Sequence, residues 1–301
     1  MKKIKIWLEA MRLRTLPVSL SGVLIALGFA KWSHCFRLVP AILCIVFALL
    51  AQIVSNFANE YYDYKHGADK KGRVGPRRGV TEGDIKPRTL KIVTYATLAV
   101  ACGIGLAMLP YALAGKWWIL VLVGIVTAVG ALAYSTGPYP LSYHTLGELA
   151  VFIFYGIIPV NFTYYVVTGS FHPFVLMASI CIGFMGVNVL LVNNIRDIDD
   201  DREAGKRTSA VVFGRQAAVV AYLFNGFVGF AILAALWLHM FFTMPIWTLF
   251  APAIYLILHT HTWLQVRSRD GRALNPLLGA TARNMLIFTV MLLIPLILYP
   301  Q

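Results

Sequence analysis

The sequence has 301 residues, of which 59% are hydrophobic and only 13% are charged, and its mean hydropathy is +0.72. Soluble domains carry about 25% charged residues, so the composition excludes an ordinary soluble protein and indicates a membrane protein with several spans. The net charge is +13, but the charges lie in short segments between apolar runs. Membrane orientation and anionic ligands explain that placement better than nucleic acid binding does.

The first 15 residues form a basic, amphipathic lead-in, which we expect to lie in the membrane interface as a helix. Glu9, Arg12 and Arg14 interrupt its apolar positions, so we do not predict a cleavable signal peptide.

Nine apolar runs follow, each about long enough to cross a bilayer as a helix. They lie at about 16–33, 38–58, 90–112, 117–135, 146–168, 173–194, 216–239, 244–264 and 281–299. The breaks at Pro110–Lys116 and His239–Pro245 are needed because either merger would give an implausibly long helix. The predicted fold is an all-α polytopic bundle of about nine transmembrane helices, forming one domain over residues 1–301.

Basic residues divide unevenly between the two sides of this bundle. Of the 26 lysines and arginines, only Lys31, Arg37 and Lys116 fall outside when the N-terminus is inside. The positive-inside rule therefore predicts a cytoplasmic N-terminus and an external C-terminus. The 13 acidic residues also lie on or near the inner side, which orientation does not require. The inner loops are then about 59–90, 136–145, 195–215 and 265–283, and the first and third are the predicted active-site loops.

Two polar stretches stand at the exits of the second and sixth spans. The first, Asn56 to Asp69, reads N-F-A-N-E-Y-Y-D-Y-K-H-G-A-D, and helical spacing brings its Asn and acidic residues to one face. The second, Asn193 to Asp201, reads N-N-I-R-D-I-D-D-D and has the same spacing. Carboxylate and amide oxygens suit Mg²⁺, which commonly shares them with substrate phosphates. The candidate ligands are Asn59, Glu60, Asp63, Asp69, Asn193, Asp197 and Asp201.

Neither stretch contains the Cys or His pair of a zinc site, and the four cysteines are scattered without metal-ligand spacing. Facing carboxylate clusters would repel unless cations lay between them, which favours Mg²⁺ together with a diphosphate. Lysines and arginines next to both stretches suit phosphate oxygens. Those singled out are Lys65, Lys70, Arg73, Arg77, Arg196, Arg202 and Lys206. The plainer interpretations are solvated helix ends for the acids and the positive-inside rule for the bases.

A further polar group lies near the inner ends of the fourth and fifth spans. It comprises Tyr134, Ser135, Tyr139, Tyr143 and Glu148. An acidic residue within a membrane commonly has a functional role. Glu148 could therefore belong to the site, or it could equally cap the start of a helix.

These motifs resemble the UbiA-type intramembrane prenyltransferase superfamily, and within it the branch that prenylates 1,4-dihydroxy-2-naphthoate for menaquinone synthesis. The strings that carry the resemblance are W-x4-R-x-R-T-L-P at Trp7–Pro17, the first polar stretch, G-P-R-R-G at Gly75–Gly79, Y-S-T-G-P-Y-P-L-S-Y at Tyr134–Tyr143, L-G-E at Leu146–Glu148, and N-N-I-R-D-I-D-D-D-R-E-A-G-K-R-T at Asn193–Thr208.

Two positions depart from the superfamily pattern. Glu60 stands where an aspartate is usual, and Gly67 stands where the last aspartate is expected, with the acid at Asp69 instead. The late aspartate resembles the naphthoate branch rather than the hydroxybenzoate or haem branches.

The resemblance implies transfer of a polyprenyl group from polyprenyl diphosphate to 1,4-dihydroxy-2-naphthoate, with loss of CO₂ and diphosphate. Asn59, Asp63, Asp197 and Asp201 would be catalytic and hold the diphosphate through Mg²⁺. Arg14, Lys206, Tyr134 and Glu148 are further candidates for diphosphate or ring contacts. An apolar groove between spans, open to membrane lipids, would take the tail.

Three alternatives stay open on the sequence alone: another aromatic or haem prenyltransferase, a transporter with an inner acidic site, and a structural scaffold. Prenyl chain length and oligomeric state are also left open.

Overall fold

The computed structural model describes residues 2–240 and 245–300, and the regular secondary structure within them is entirely helical. The helices are α1 (Lys2–Ala10), α2 (Leu16–Trp32), α3 (Leu38–Lys65), α4 (Pro87–Ala107), α5 (Trp117–Ala133), α6 (Gly147–Val151), α7 (Ile158–Thr168), α8 (Pro173–Arg196), α9 (Ile198–Glu203), α10 (Ser209–Phe213), α11 (Arg215–Met240), α12 (Phe250–Ser268) and α13 (Asn275–Leu298). The prediction of an all-α polytopic bundle is confirmed.

A helix overlaps each of the nine predicted apolar runs. Within the described residues, seven stretches are long and apolar enough to cross a membrane; α5 is a shorter apolar helix, and α12 is not among the seven. The count of nine therefore stays a prediction. Residues 241–244, which belong to the predicted break between the seventh and eighth spans, lie outside the described residues.

The predicted active-site loops are more helical than expected. Helix α3 continues to Lys65, so the first loop begins at His66 rather than at residue 59, and it ends where α4 begins at Pro87. The second loop, predicted at 195–215, contains the short helices α9 and α10. The predicted start at residue 59 is too early because polar residues occupy the last turns of α3.

The fifth predicted span is interrupted. Between α6 and α7, residues Phe152–Ile157 form a π-helical turn. Pro159 follows at the start of α7 and has no N–H to donate to the carbonyl of Tyr155, four residues back, which accounts for the widened turn.

Helix α8 lies at the centre of the bundle. Of its most apolar window, 72% is buried inside the protein, against 17% for α4. It packs against α11, α13, α7 and the π-helical turn around a core that includes Phe29, Ile182 and Phe288. The close approach depends on glycine: a Cβ on Gly156 would lie 2.5 Å from the Cα of Gly183. The second polar stretch is therefore carried on the most deeply embedded helix.

Candidate active site

The ends of α3 and α8 bring the two polar stretches together. Asn59 and Asp63 lie on the last two turns of α3, while Asn193 lies in the last turn of α8 and Asp197 caps that helix. The chain then turns directly into α9, which carries Asp201. Asn56, Asn59 and Asp63 lie on one helix, as their spacing predicts, whereas the second stretch is divided between α8 and α9, and its Asn194 donates to Glu148.

Two cations bridge the stretches. Lys206 Nζ lies 3.0 Å from Asp63 Oδ1 and 3.9 Å from Asp201 Oδ1. Arg73 contacts Asp69 and Asp197, each at 3.2 Å. Four aspartates that are up to 138 positions apart in the chain therefore share one site through two basic side chains.

Arg196 fixes the carboxylate of Asp197. Its Nε and Nη2 donate to the two oxygens of Asp197 at 2.7 and 2.6 Å, and Nη2 also donates to Asn193 Oδ1 at 2.7 Å. A bidentate guanidinium–carboxylate pair constrains distance and plane together. The predicted Asn193, Arg196 and Asp197 thus form one connected group.

Asp69 reaches the site because the chain reverses after α3. Gly67 has a φ of 71°, a left-handed conformation that glycine adopts readily, and the amide of Ala68 donates to the carbonyl of Asp63 at 2.9 Å. The Asp69 side chain is 4% exposed and lies 3.2 Å from Arg78 Nε. Burial raises the pKa of Asp69 to about 6, against the opposing effect of Arg73. Burial likewise raises the pKa of Asp201 to about 7, against the effect of Lys206.

An apolar cavity begins beside this polar site. Its volume is about 350 Å³, and its walls come from α2 to α7. Ser55, one turn before Asn59, and Tyr134 line it near the polar site, whereas Met108 and Val166 line it near the opposite ends of their helices. Ser135, next to Tyr134, accepts a hydrogen bond from Asn59 at 3.3 Å. The site therefore joins an ionic end to a long apolar chamber.

The sequence pattern of the UbiA prenyltransferase family matches residues 16–298. The chain belongs to this family. A relative from Escherichia coli K12, named 1,4-dihydroxy-2-naphthoate octaprenyltransferase, is 31% identical over 297 residues, which cover 97% of this chain and 95% of the relative. A protein of the same name from Haemophilus influenzae is 33% identical over 217 residues, covering 71% and 70% of the two chains.

Solved structures of UbiA homologues share the fold. An apo structure of a homologue from Aeropyrum pernix K1 superposes with a TM-score of 0.70 at 16% identity, covering 92% of this chain and 97% of that one. A homologue from Archaeoglobus fulgidus, described as bound to DMAPP and Mg²⁺, gives a TM-score of 0.65 at 15% identity, covering 96% and 99%. Family membership favours the enzyme interpretation over a transporter or a scaffold.

The donor set of this UbiA-family site fits a hard divalent cation. Its four aspartates and two asparagines offer oxygen ligands, and the buried Oδ2 of Asp69 makes no hydrogen bond, its contact being the ion pair with Arg78 Nε at 3.2 Å. In the described residues the carboxylates pair with Lys and Arg, and no three His, Cys, Asp or Glu side chains are grouped tightly enough to hold a metal by themselves. Diphosphate oxygens would complete such a coordination shell.

Glu60 lies differently from the other predicted ligands. It is 1% exposed, and its Oε1 accepts a hydrogen bond from the amide of Val80 at 3.1 Å. One carboxylate oxygen therefore anchors the loop after α3 instead of joining the four aspartates. Residues 59 and 60 are adjacent on a helix, so their side chains point about 100° apart. Only one of the two can therefore share the face of α3 that carries Asp63.

Arg12 was not among the predicted site residues, and the structure places it there in preference to Arg14. Arg12 donates to Asn59 Oδ1, and Arg78 donates to the same oxygen at 3.4 Å. Arg14, two residues later, is exposed. Arg12 has a left-handed backbone with a φ of 51°, which directs its side chain to the site. Non-glycine residues rarely adopt this conformation, so the sequence does not predict it.

Tyr143 also joins the site without having been selected from the aromatic group. Its hydroxyl donates to Asp63 at 3.2 Å, and Lys206 Nζ lies 4.8 Å from its ring centroid. Burial raises the pKa of this phenol above its usual range, so Tyr143 remains a neutral hydrogen-bond donor.

The other predicted basic residues lie away from the aspartates. Lys70 pairs with Glu203 at 2.9 Å and Arg202 with Asp199 at 3.2 Å, all of them exposed. Arg77 contacts Asp84 and Glu9, and Lys65 is exposed. These side chains surround the site without entering it.

Glu148 is hydrogen-bonded to residues other than the four aspartates. Its Oε1 accepts hydrogen bonds from Asn194 at 2.9 Å and from Ser209. This carboxylate links α6, α8 and α10 by hydrogen bonds. Among the described residues, it forms no hydrogen bond with Tyr134. The second predicted ring contact, Tyr134, lies in the cavity wall.

Proposed function

We propose that this protein transfers a polyprenyl group from polyprenyl diphosphate to 1,4-dihydroxy-2-naphthoate, with loss of CO₂ and diphosphate, giving demethylmenaquinol. The observation that carries the proposal is the junction of the four-aspartate site with the apolar cavity. The relatives named as naphthoate octaprenyltransferases support the aromatic substrate, since one of them matches along almost its whole length. We infer one transmembrane prenyltransferase domain over residues 1–301.

The charges of the site suit a metal diphosphate. Asp63, Asp69, Asp197 and Asp201 are accompanied by Arg73, Arg78, Arg196 and Lys206, so positive and negative groups are nearly balanced. A diphosphate carrying Mg²⁺ is itself close to neutral and can enter without leaving a large buried charge uncompensated. A free anion or a free cation would unbalance the site.

Asp63, Asp69, Asp197 and Asp201 would hold Mg²⁺, with Asn59 and Asn193 beside them. When bound, Mg²⁺ neutralises charge on the departing diphosphate. Arg73 and Lys206, each placed between two aspartates, can donate to diphosphate oxygens as the carbon–oxygen bond breaks. Arg12 and Arg78 orient Asn59 from the other side.

The cavity holds the chain and excludes water from the reacting end. Its lining is apolar apart from a few side chains such as Gln52, Ser55 and Tyr134. Heterolysis of the diphosphate ester leaves an allylic cation, which the electron-rich ring attacks, and the ring carboxylate leaves as CO₂. A dry chamber keeps water from capturing that cation.

The protein is integral to a membrane, and we propose that the polar site opens to the cytoplasm. The N-terminus would be cytoplasmic and the C-terminus external, as the charge distribution predicts. Substrate diphosphate would then enter from the cytoplasm, and lipid-soluble product would leave into the bilayer.

The proposal is tested with membranes containing the full chain, a labelled polyprenyl diphosphate, 1,4-dihydroxy-2-naphthoate and Mg²⁺. We expect prenylated, decarboxylated product, and none when the metal is chelated. Asp63→Asn keeps the side-chain shape but removes the charge that Lys206 contacts, and we expect it to abolish turnover. Asp199→Asn is the matched control because Asp199 is 85% exposed and pairs only with Arg202 in the described residues. Normal turnover by Asp63→Asn would contradict the proposed site.

A further inference from the structure

The connection before the last helix touches the active-site loop. In it, Arg272 Nη2 donates to the carbonyl of Gly72 at 3.0 Å, and Asn275 Nδ2 donates to the carbonyl of Val74 at 3.1 Å. Asn275 is the first residue of α13, some 200 positions after the loop that it holds. The connection before α13 lies outside both polar stretches, Asn56–Asp69 and Asn193–Asp201.

The peptide units of Val74 are fixed from two directions. The carbonyl of Val74 accepts from Asn275, while its amide donates to Asp200 Oδ2 at 3.3 Å. The loop is therefore hydrogen-bonded at Val74 both to α9 and to α13. Arg73, the residue that bridges Asp69 and Asp197, immediately precedes this fixed point.

The same amide of Asn275 also contacts the second polar stretch. Its Oδ1 accepts a hydrogen bond from Arg196 Nη1 at 3.2 Å. The other nitrogens of Arg196 hold both oxygens of Asp197. The Asn275 side chain thus donates through Nδ2 to the loop and accepts through Oδ1 from the guanidinium of Arg196.

The loop packs tightly against Arg196 at Gly75. A Cβ on Gly75 would lie 2.8 Å from Arg196 Nη2 and 3.1 Å from Arg73 Nη2. The bare backbone of Gly75 lets both guanidinium groups lie against it.

We propose that Asn275 is a positioning residue, which sets the loop through Val74 and the carboxylate of Asp197 through Arg196. In this role Asn275 acts through Arg196 and Val74 rather than by contact with a substrate. Its truncation frees Arg196 to turn away from Asp197 and lets the loop carrying Arg73 lift. This inference rests on the proposed function for its kinetic consequence, while the consequence for the loop is independent of it.

The loop is measured first, by limited trypsin digestion of the purified full chain at Lys70 and Lys71, which are exposed. Loss of one hydrogen bond of ordinary strength corresponds to about a fivefold change in an opening equilibrium. We expect Asn275→Ala to be cleaved about fivefold faster than the unaltered chain. Mg²⁺ with inorganic diphosphate should slow cleavage in the unaltered chain and less so in the variant.

The kinetic arm compares the Mg²⁺ concentration that gives the half-maximal rate. Asn275→Ala should need about fivefold more Mg²⁺, and its rate at saturating Mg²⁺ should approach that of the unaltered chain. Asn275→Asp keeps an acceptor for Arg196 and loses the donor to Val74. It should be cleaved fast by trypsin yet keep a nearly unaltered Mg²⁺ requirement.

Two further variants complete the design. Within residues 2–240 and 245–300 the Arg272 side chain hydrogen-bonds only to Gly72, so Arg272→Ala should speed cleavage without changing the Mg²⁺ requirement. Arg269→Ala, exposed in the same connection, should change neither. Unaltered cleavage and unaltered Mg²⁺ requirement in a monodisperse Asn275→Ala would overturn the proposal. If the unaltered chain forms no naphthoate product, the proposed function fails, and the trypsin arm still decides the role of Asn275 in the loop.

Discussion

Arg12 combines a strained backbone with a buried contact. Its φ of 51° lies in a region that costs a non-glycine residue free energy, on the order of 1–3 kcal/mol. The turn directs its guanidinium to Asn59 on α3, where Arg78 contacts the same oxygen. The arrangement links the lead-in helix directly to the first polar stretch.

Arg12→Ala should therefore slow prenyl transfer much more than Arg14→Ala. A hydrogen bond to a charged group is worth about 1.5–3 kcal/mol, which corresponds to a rate loss of roughly 10- to 150-fold if it is realised at the reacting end. Initial rates at saturating Mg²⁺ measure the difference. A larger loss for Arg14→Ala would show that the contact with Asn59 is not the one that matters.

Some of the site could be predicted from single residues and some could not. Asp63, Asp197 and Asp201 were recognisable because helical spacing and residue type agree. The contacts of Glu60 with Val80 and of Arg12 with Asn59 could not be predicted, because the direction of a side chain at a helix end depends on backbone angles that sequence does not specify. Asn275 gave no local signal at all, since its importance lies in contacts with residues about 80 and 200 positions away.

Helix α8 owes its central position to small residues on the face that meets the π-helical turn. A Cβ on Gly156 would lie 2.6 Å from the carbonyl oxygen of Ser179, and a Cβ on Gly183 would lie 2.7 Å from the ring of Phe152. Apolar periodicity predicts where such helices lie but not which of their glycines another backbone approaches.

Gly156→Ala should destabilise the fold because its new methyl group would meet backbone atoms that cannot rotate away. Overpacking of this kind costs about 1–3 kcal/mol. Gly279→Ala on α13 is the matched control: nothing lies within 4 Å of its Cβ, and alanine is the better helix former by about 1 kcal/mol. Thermal unfolding in detergent, followed by size-exclusion chromatography, should give a lower midpoint for the first variant only. Equal midpoints would mean that the π-helical turn and α8 can separate without cost.

Helix α4 offers a test of the cavity as the site of the prenyl chain. Gly105 lines the cavity, whereas Gly103 on the same helix is exposed with nothing within 4 Å of its Cβ position. Gly105→Phe should therefore shorten the space for the tail and favour shorter prenyl diphosphates over long ones. Competition between two chain lengths measures the ratio. Gly103→Phe should leave the ratio unaltered, and an equal shift in both variants would place the tail elsewhere.

At the scale of the whole molecule, polar chemistry is confined to one end of an apolar bundle. The helices were predictable because a bilayer requires long apolar runs and allows few other backbones. The convergence of the polar ends of α3 and α8 on one site was predicted only from the chemistry and likeness of the two stretches, since contacts between distant parts of the chain leave no trace in local sequence. The count of spans and the orientation remain predictions.

Orientation can be measured with a native cysteine. Cys35 lies exposed in the connection between α2 and α3, while Cys44 and Cys181 are buried. If the N-terminus is cytoplasmic, this connection faces outward, and a membrane-impermeant maleimide added to intact cells should label Cys35. Lys71→Cys, in a Cys35→Ser background, places a thiol in the active-site loop and should be labelled only after the membrane is opened. Cys102→Ala in both chains removes the exposed thiol on α4. The reverse pattern would place the aspartates outside the cytoplasm and would require the polyprenyl diphosphate to be supplied from that side.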